Sequence, residues 1–98
     1  MTYALVLAFE GVTEEQYWAV NENLGVQRDG KGDWPAGILS HAGGPMEGGG
    51  WLVIERWDSK ASQEAFMATR LGPALGIVGL PAPIHIFESN TVNDQQFG

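Results

Sequence analysis

Short apolar runs alternate with polar, glycine-marked breaks along this chain, and the spacing of the apolar positions assigns most of it to elements. Tyr3-Ala4-Leu5-Val6-Leu7-Ala8-Phe9 is continuous and of strand length, the pattern of a strand covered on both faces. Glu10-Gly11 breaks it. Thr13 then caps a helix, with Gln16 at capping-box spacing and Glu14 and Glu15 in the first turn, where negative charge complements the helix dipole. Tyr17, Val20 and Leu24 form its buried stripe and Gly25 ends it; Tyr17 and Trp18 read as packing residues.

Residues 25–36 form a polar loop in which Trp34 is the odd member, a residue that anchors a loop or covers a cavity. Gly37 to Gly43 is a second strand, and the glycine-rich segment 44–49 is a turn. The third strand, Trp51-Leu52-Val53-Ile54-Glu55-Arg56-Trp57, alternates cleanly. Trp51, Val53, Glu55 and Trp57 point one way and Leu52, Ile54 and Arg56 the other. Leu52 and Ile54 suit a core beneath helices, so the tryptophan side is expected to meet a pocket or a partner. Asp58 or Ser59 caps a second helix that runs to about Leu71, where Gly72-Pro73 is expected to stop it. Residues 74–80 suggest one short helical turn. Pro81 and Pro83 lead into a last strand, Ile84 to Glu88, and residues 90–98 read as a loose tail or an arm on a partner.

The order strand, helix, strand, strand, helix, strand is the α+β, ferredoxin-like βαββαβ plan: a four-stranded antiparallel sheet with two helices on one face. Its 98 residues make one domain, and no internal linker interrupts it. The face bearing Trp51, Val53 and Trp57 holds too much apolar area to leave in water. An identical neighbour is the simplest cover, which predicts a homodimer.

Composition removes several functions. The chain carries a formal charge of −7 with only five basic residues, scattered, so it offers no cluster of Lys and Arg to displace counterions from phosphates. Nucleic acid is not an expected partner. It has no cysteine, hence no disulfide and no thiolate metal site. No run approaches the ~18 apolar residues of a membrane span, and no signal peptide is visible, so no membrane association and a cytoplasmic location are expected. Two histidines without metal-ligand spacing predict no metal site, and no cofactor is expected. The glycine sets precede a strand rather than a helix and so form no nucleotide loop.

From residue 3 to residue 88 the chain resembles the dimeric α+β barrel superfamily. The resemblance rests on Trp34-Pro35-Ala36-Gly37-Ile38-Leu39-Ser40-His41, on Glu55-Arg56-Trp57-Asp58-Ser59 with Glu64-Ala65-Phe66, and on Leu71-Gly72-Pro73-Ala74-Leu75 leading to Pro81 and Pro83. The strand-end Trp-Asp-Ser followed by Glu-Ala-Phe looks like the antibiotic-biosynthesis monooxygenase branch. That resemblance implies a dimeric barrel and a pocket between sheet and helices lined by Trp57. It also implies relatives that range from cofactor-independent monooxygenases to haem-degrading enzymes, lactone isomerases and cyclases. Other polar pocket residues of the monooxygenases do not carry over. An asparagine four residues before the tryptophan is Val53 here, and a tyrosine six after it is Gln63.

His41 is the independent candidate for chemistry. If Gly43 sits opposite Trp51, His41 lies opposite Val53 and shares the tryptophan face, with Glu55 a diagonal neighbour within hydrogen-bond reach. That register leaves Ile38, Ser40 and Ala42 with Leu52 and Ile54 under the helices; a shift of one residue reverses every side chain. A His41–Glu55 pair beside an aromatic wall can act as a general base with its orienting carboxylate. Trp57, Trp51, Trp34 and His85 are the candidate ligand-binding residues, although His85 can equally face solvent at the sheet edge. The expected function is a small, cofactor-free enzyme, monooxygenase-, isomerase- or cyclase-like, acting on an aromatic or ring metabolite. The alternative is a non-catalytic ligand-binding or dimerisation module in which Trp51 and Trp57 serve packing.

Overall fold

β1 (Tyr3–Phe9) is the hub of the sheet. It pairs antiparallel with β3 (Trp51–Trp57) on one side and with β4 (His85–Asn90) on the other. β2 (Ile38–Pro45) lies outside β3, giving the order β2-β3-β1-β4. α1 (Glu14–Leu24) joins β1 to β2. A second helical arm joins β3 to β4: α2 (Lys60–Phe66), a π-helical segment (Met67–Leu71) and α3 (Gly72–Val78). This is the expected ferredoxin-like βαββαβ architecture. The computed structural model describes residues 1–97; Gly98, the end of the predicted tail, lies outside the described residues.

Size decides which face of the sheet the helices cover. In β1 the large side chains Tyr3, Leu5, Leu7 and Phe9 alternate with Ala4, Val6 and Ala8. Only the large set can fill the space beneath helices that stand about 10 Å from the sheet. The antiparallel register sets Tyr3 opposite Trp57, Leu5 opposite Glu55, Leu7 opposite Val53 and Phe9 opposite Trp51. Directly opposed residues share a face, so Trp51, Val53, Glu55 and Trp57 go under the helices with them. All are buried, Trp57 completely. The expectation that Leu52 and Ile54 pack beneath the helices and the tryptophans meet a partner is therefore reversed. Both indoles lie beneath the chain's own helices, which removes the dimer-packing role assigned to them. Ile54 is 49% exposed and Phe87 61% exposed, on the open face.

The hairpin register also differs from the expected one, by two residues. Pro45, not Gly43, sits opposite Trp51, and His41 sits directly opposite Glu55. A shift of two preserves the face, so His41 does share the tryptophan side. A bulge between Ile38 and Ser40 changes the parity at the start of β2. Ile38 therefore turns under the helices opposite Trp57, while Ser40 and Ala42 join Arg56 and Ile54 on the open face. The β2–β3 turn closes tightly at Gly50, whose φ is 92° and where a Cβ would lie 2.3 Å from the Phe9 carbonyl oxygen. Only glycine fits there.

α1 starts as predicted. The Gln16 amide donates to Thr13 Oγ1 at 3.3 Å and the Thr13 amide donates to Gln16 Oε1 at 2.9 Å. Gly25, at φ 79°, ends it. The second arm does not stop at Gly72-Pro73. It continues to Val78 because the π turn before the proline widens the backbone: the Gly72 amide reaches back five residues to the Met67 carbonyl. The proline ring is thereby accommodated without a break. Gly79, left-handed at φ 85°, is the actual end.

Residues just beyond β4 are tied down rather than loose. The Thr91 amide donates to the Thr2 carbonyl at 2.9 Å. Asp94 accepts from Thr2 Oγ1 and, at 2.8 Å, from Arg56 Nε on the open face. Val92 and Phe97 remain exposed.

Candidate functional site

Between the sheet and the helices lies a cavity of about 60 Å³. Its wall is almost wholly apolar: Leu7, Phe9 and Val53 from the sheet, Val20 and Leu24 from α1, Leu71 and Leu75 from the second arm. Its polar lining residues include Glu55, His41, Tyr17 and Asn21. Glu55 and His41 rise from adjacent strands at the position where the ladder sets them opposite each other, and Tyr17 descends from α1.

These side chains form one chain of hydrogen bonds. Trp57 Nε1 donates to Glu55 Oε1 at 3.2 Å. Glu55 Oε2 is 2.9 Å from His41 Nδ1. His41 Nε2 meets the Tyr17 hydroxyl. A carboxylate only accepts, so Nδ1 donates to Glu55; in the neutral imidazole Nε2 then accepts from the phenol. Glu55 is only 6% exposed, and its two bonds are what make its burial tolerable. Burial pushes the Tyr17 phenol above its ordinary range; a hydrogen bond with Asn21 offsets part of that rise, and the Glu55 charge adds a smaller one. The phenol is thus neutral at physiological pH and free to donate.

Tyr17 is the residue that sequence reasoning set aside as packing. Its ring does pack, 4.9 Å from that of Trp51, but its hydroxyl completes the chain of hydrogen bonds. The available signal was chemical: a tyrosine in a buried helical stripe brings a phenol that needs a partner. Gly43 makes room for it. A Cβ there would stand 2.9 Å from both Cζ and Oη of Tyr17.

The other predicted residues separate. Trp57 is sealed behind Glu55, its ring 5.5 Å from that of Phe66, and holds the carboxylate rather than lining the cavity. Trp51 lines the cavity. Its indole nitrogen is buried and is the one such side-chain atom without a hydrogen-bond partner among the described residues. Trp34 covers the His41 end, 5.4 Å from the imidazole, with its Nε1 donating to the Lys31 carbonyl at 3.0 Å. His85 does not join them. It pairs with Ala8 on the open face of the sheet, 5.9 Å from the Phe87 ring.

The loop carrying Trp34 is ordered by its own bonds and by one cation. Val26 bridges Gly32, and the Gln27 amide donates to the Lys31 carbonyl at 2.8 Å. Arg70, from the π-helical segment, donates to the Leu24 carbonyl at 2.9 Å and the Asp33 carbonyl at 2.6 Å. The π turn thus points Leu71 into the cavity and Arg70 onto the loop that roofs it.

No group of three or more His, Cys, Asp or Glu side chains is placed to hold a metal ion among the described residues. No helix among them is long and apolar enough to cross a membrane.

Solved structures with this architecture and this placement of helices decide the fold. A putative antibiotic biosynthesis monooxygenase from Chloroflexus aurantiacus matches over 100% of both chains, with TM-score 0.67 and 16% identity. Rv0793 from Mycobacterium tuberculosis matches 98% of this chain and 100% of its own, with TM-score 0.70 and 14% identity. SnoaB from Streptomyces nogalater, a cofactor-independent oxygenase, covers 95% of this chain and 93% of its own, with TM-score 0.59 and 11% identity. The chain shares the ferredoxin-like α+β fold of these structures. No protein-family pattern matches its sequence, and no curated protein matches it. At these identities the likeness is one of fold, and the chemistry has to be argued from the residues of this cavity.

Proposed function

We propose that the protein binds a hydroxylated ring compound in the cavity beneath α1 and removes its acidic proton through Tyr17 and His41. The observation that carries this reading is the unbroken Glu55–His41–Tyr17 chain of hydrogen bonds at a largely apolar cavity. A ring hydroxyl donating to the Tyr17 oxygen passes a proton through the phenol to His41 Nε2. The imidazolium so formed is held by the Glu55 carboxylate, which is the work of an orienting acid beside a general base. The product is a ring anion in a low-dielectric site. Returning the proton to a ring carbon gives an isomerisation; reaction of the anion with dioxygen gives a cofactor-independent oxygenation, the activity named for SnoaB.

At about 60 Å³ the cavity, partly open to solvent, is less than half the ~150 Å³ that admits benzene in an apolar protein interior. Trp34 and its loop therefore move aside for a ring to enter, and Arg70 is the contact that holds them. A homodimer completes the assembly, formed by the open sheet face where Val6, Leu52, Ile54 and Phe87 lie uncovered by helices.

The test is a titration with a nitrophenol, whose neutral and ionised forms absorb at different wavelengths, at a pH where the free probe is neutral. The wild-type protein is expected to bind it as the anion, and His41→Ala to bind it as the neutral phenol. Neutral probe bound to the wild type would contradict the reading. Turnover of hydroxylated ring compounds under dioxygen and under nitrogen then separates oxygenation from isomerisation, and binding without turnover marks a carrier.

A further inference from the structure

Every polar atom of the Glu55–His41–Tyr17 chain has a use in that reading, but one buried polar atom of the same cavity has none. The Trp51 side chain is 5% exposed and its Nε1–H meets no acceptor among the described residues. Buried donors are paired in the great majority of cases, because an unmade hydrogen bond leaves the full desolvation cost in place. Trp57, the other tryptophan of this strand face, has its N–H bonded to Glu55. The contrast lies within one strand: one indole is satisfied inside the protein, and the other, on the cavity wall, is not.

We infer that the Trp51 indole N–H is a ligand-binding donor and that the site selects ring compounds carrying an acceptor oxygen, a carbonyl or an ether, in addition to the acidic hydroxyl. An indole N–H donates and cannot accept, so hydroxyl hydrogens, ammonium groups and bare hydrocarbons do not satisfy it. The Trp51 ring packs 4.9 Å from the ring of Tyr17, whose hydroxyl engages His41, and both residues line the same cavity. A ligand that fills both poles is oriented; one that fills only the Tyr17 pole can rotate within apolar walls. This inference rests on the cavity being a small-ligand site, and the experiment separates the two.

Indanone and indane share a ring skeleton and differ by one carbonyl, so loop opening affects both alike. In the wild type, indanone is expected to bind at least tenfold more tightly than indane. Its addition is also expected to move the Trp51 indole N–H resonance downfield, while indane leaves that proton's hydrogen bonding unchanged. Trp51→Phe, which identifies the resonance by its loss, is expected to bring the two affinities within about twofold of each other. Equal affinities in the wild type, or a preference that survives Trp51→Phe, would overturn the assignment of Trp51 and leave the cavity reading standing. An indole resonance that shifts alike with both compounds would mean that the donor is satisfied by water, and would overturn it too. Failure of both compounds to bind would remove both the inference and the ligand site beneath it. The wild-type comparison needs no variant to fold.

Discussion

His41 stands directly opposite Glu55 in the β2–β3 ladder, its Nδ1 2.9 Å from the Glu55 carboxylate. Backbone pairing thus aligns the imidazole before any side-chain contact is counted. The carboxylate also takes the Trp57 N–H, so it is held from two sides and cannot swing away. Glu55→Gln keeps the shape and offers an amide that can donate as readily as accept, which frees the imidazole tautomer. The expected result is a fall of about 10²-fold in turnover or in the ionised fraction of bound phenol, within the range general-base groups contribute. Stability should drop by about 1–3 kcal/mol as buried hydrogen bonds lose their charged partner. Steady-state kinetics and urea denaturation read the two effects.

Gly43 carries a prediction that looks unrelated to chemistry. A methyl group there collides with the end of the Tyr17 ring at 2.9 Å. Gly43→Ala should push the phenol off His41 at a cost of about 1–3 kcal/mol for the overpacked contact. Its catalytic or probe-ionisation defect should match that of Tyr17→Phe. If the alanine variant behaves as wild type while its Tyr17 position is unchanged in a crystal structure, the steric argument is wrong.

Tyr3, buried, and Tyr17, half-buried, both weaken the fold at alkaline pH. Burial raises Tyr3, as do its hydrogen bond to Glu88 and the charge of that carboxylate; burial raises Tyr17 as well. A group that ionises later in the folded state than in the unfolded one retains protons that the unfolded chain releases. Stability is therefore whole below the ordinary tyrosine range of about pH 10 and falls as pH rises above it. Urea midpoints measured across that range should decline, and less steeply in Tyr3→Phe. A midpoint that does not change there would refute the burial argument.

Association is expected to depend on the open sheet face and not on the tryptophans. Ile54, 49% exposed on that face, is replaced by a charge in Ile54→Glu. Light scattering should find the wild type dimeric and this variant monomeric at micromolar concentration, with the intrinsic tryptophan emission unchanged because Trp51 and Trp57 stay beneath the helices. A red-shifted emission on dissociation would place an indole at the interface.

Much of this was legible in the sequence. Element order and the Thr13 capping box followed from spacing alone, whereas His41 and Glu55 were expected only as diagonal neighbours, two residues away from the observed register. The face of β3 did not, because Trp51 to Trp57 alternates with apolar residues on both sides. The deciding information sat in β1, where Tyr3, Leu5, Leu7 and Phe9 outsize Ala4, Val6 and Ala8 and so have to face the thicker layer. The Ile38 bulge escaped because one extra residue reverses parity without a composition signal. Gly72-Pro73 reads as a stop, and only the π turn upstream lets the helix pass. Tyr17 was visible as a buried position but not as a partner of His41, since that contact joins elements 24 residues apart.

The most direct measurement is nitrogen NMR of the His41 imidazole with and without a bound nitrophenol. The account predicts a neutral ring protonated at Nδ1 in the free protein, and a second proton on Nε2 when the probe binds as its anion. An imidazole that keeps the same protonation in both states, with the probe bound at the Tyr17 end of the cavity, would contradict it.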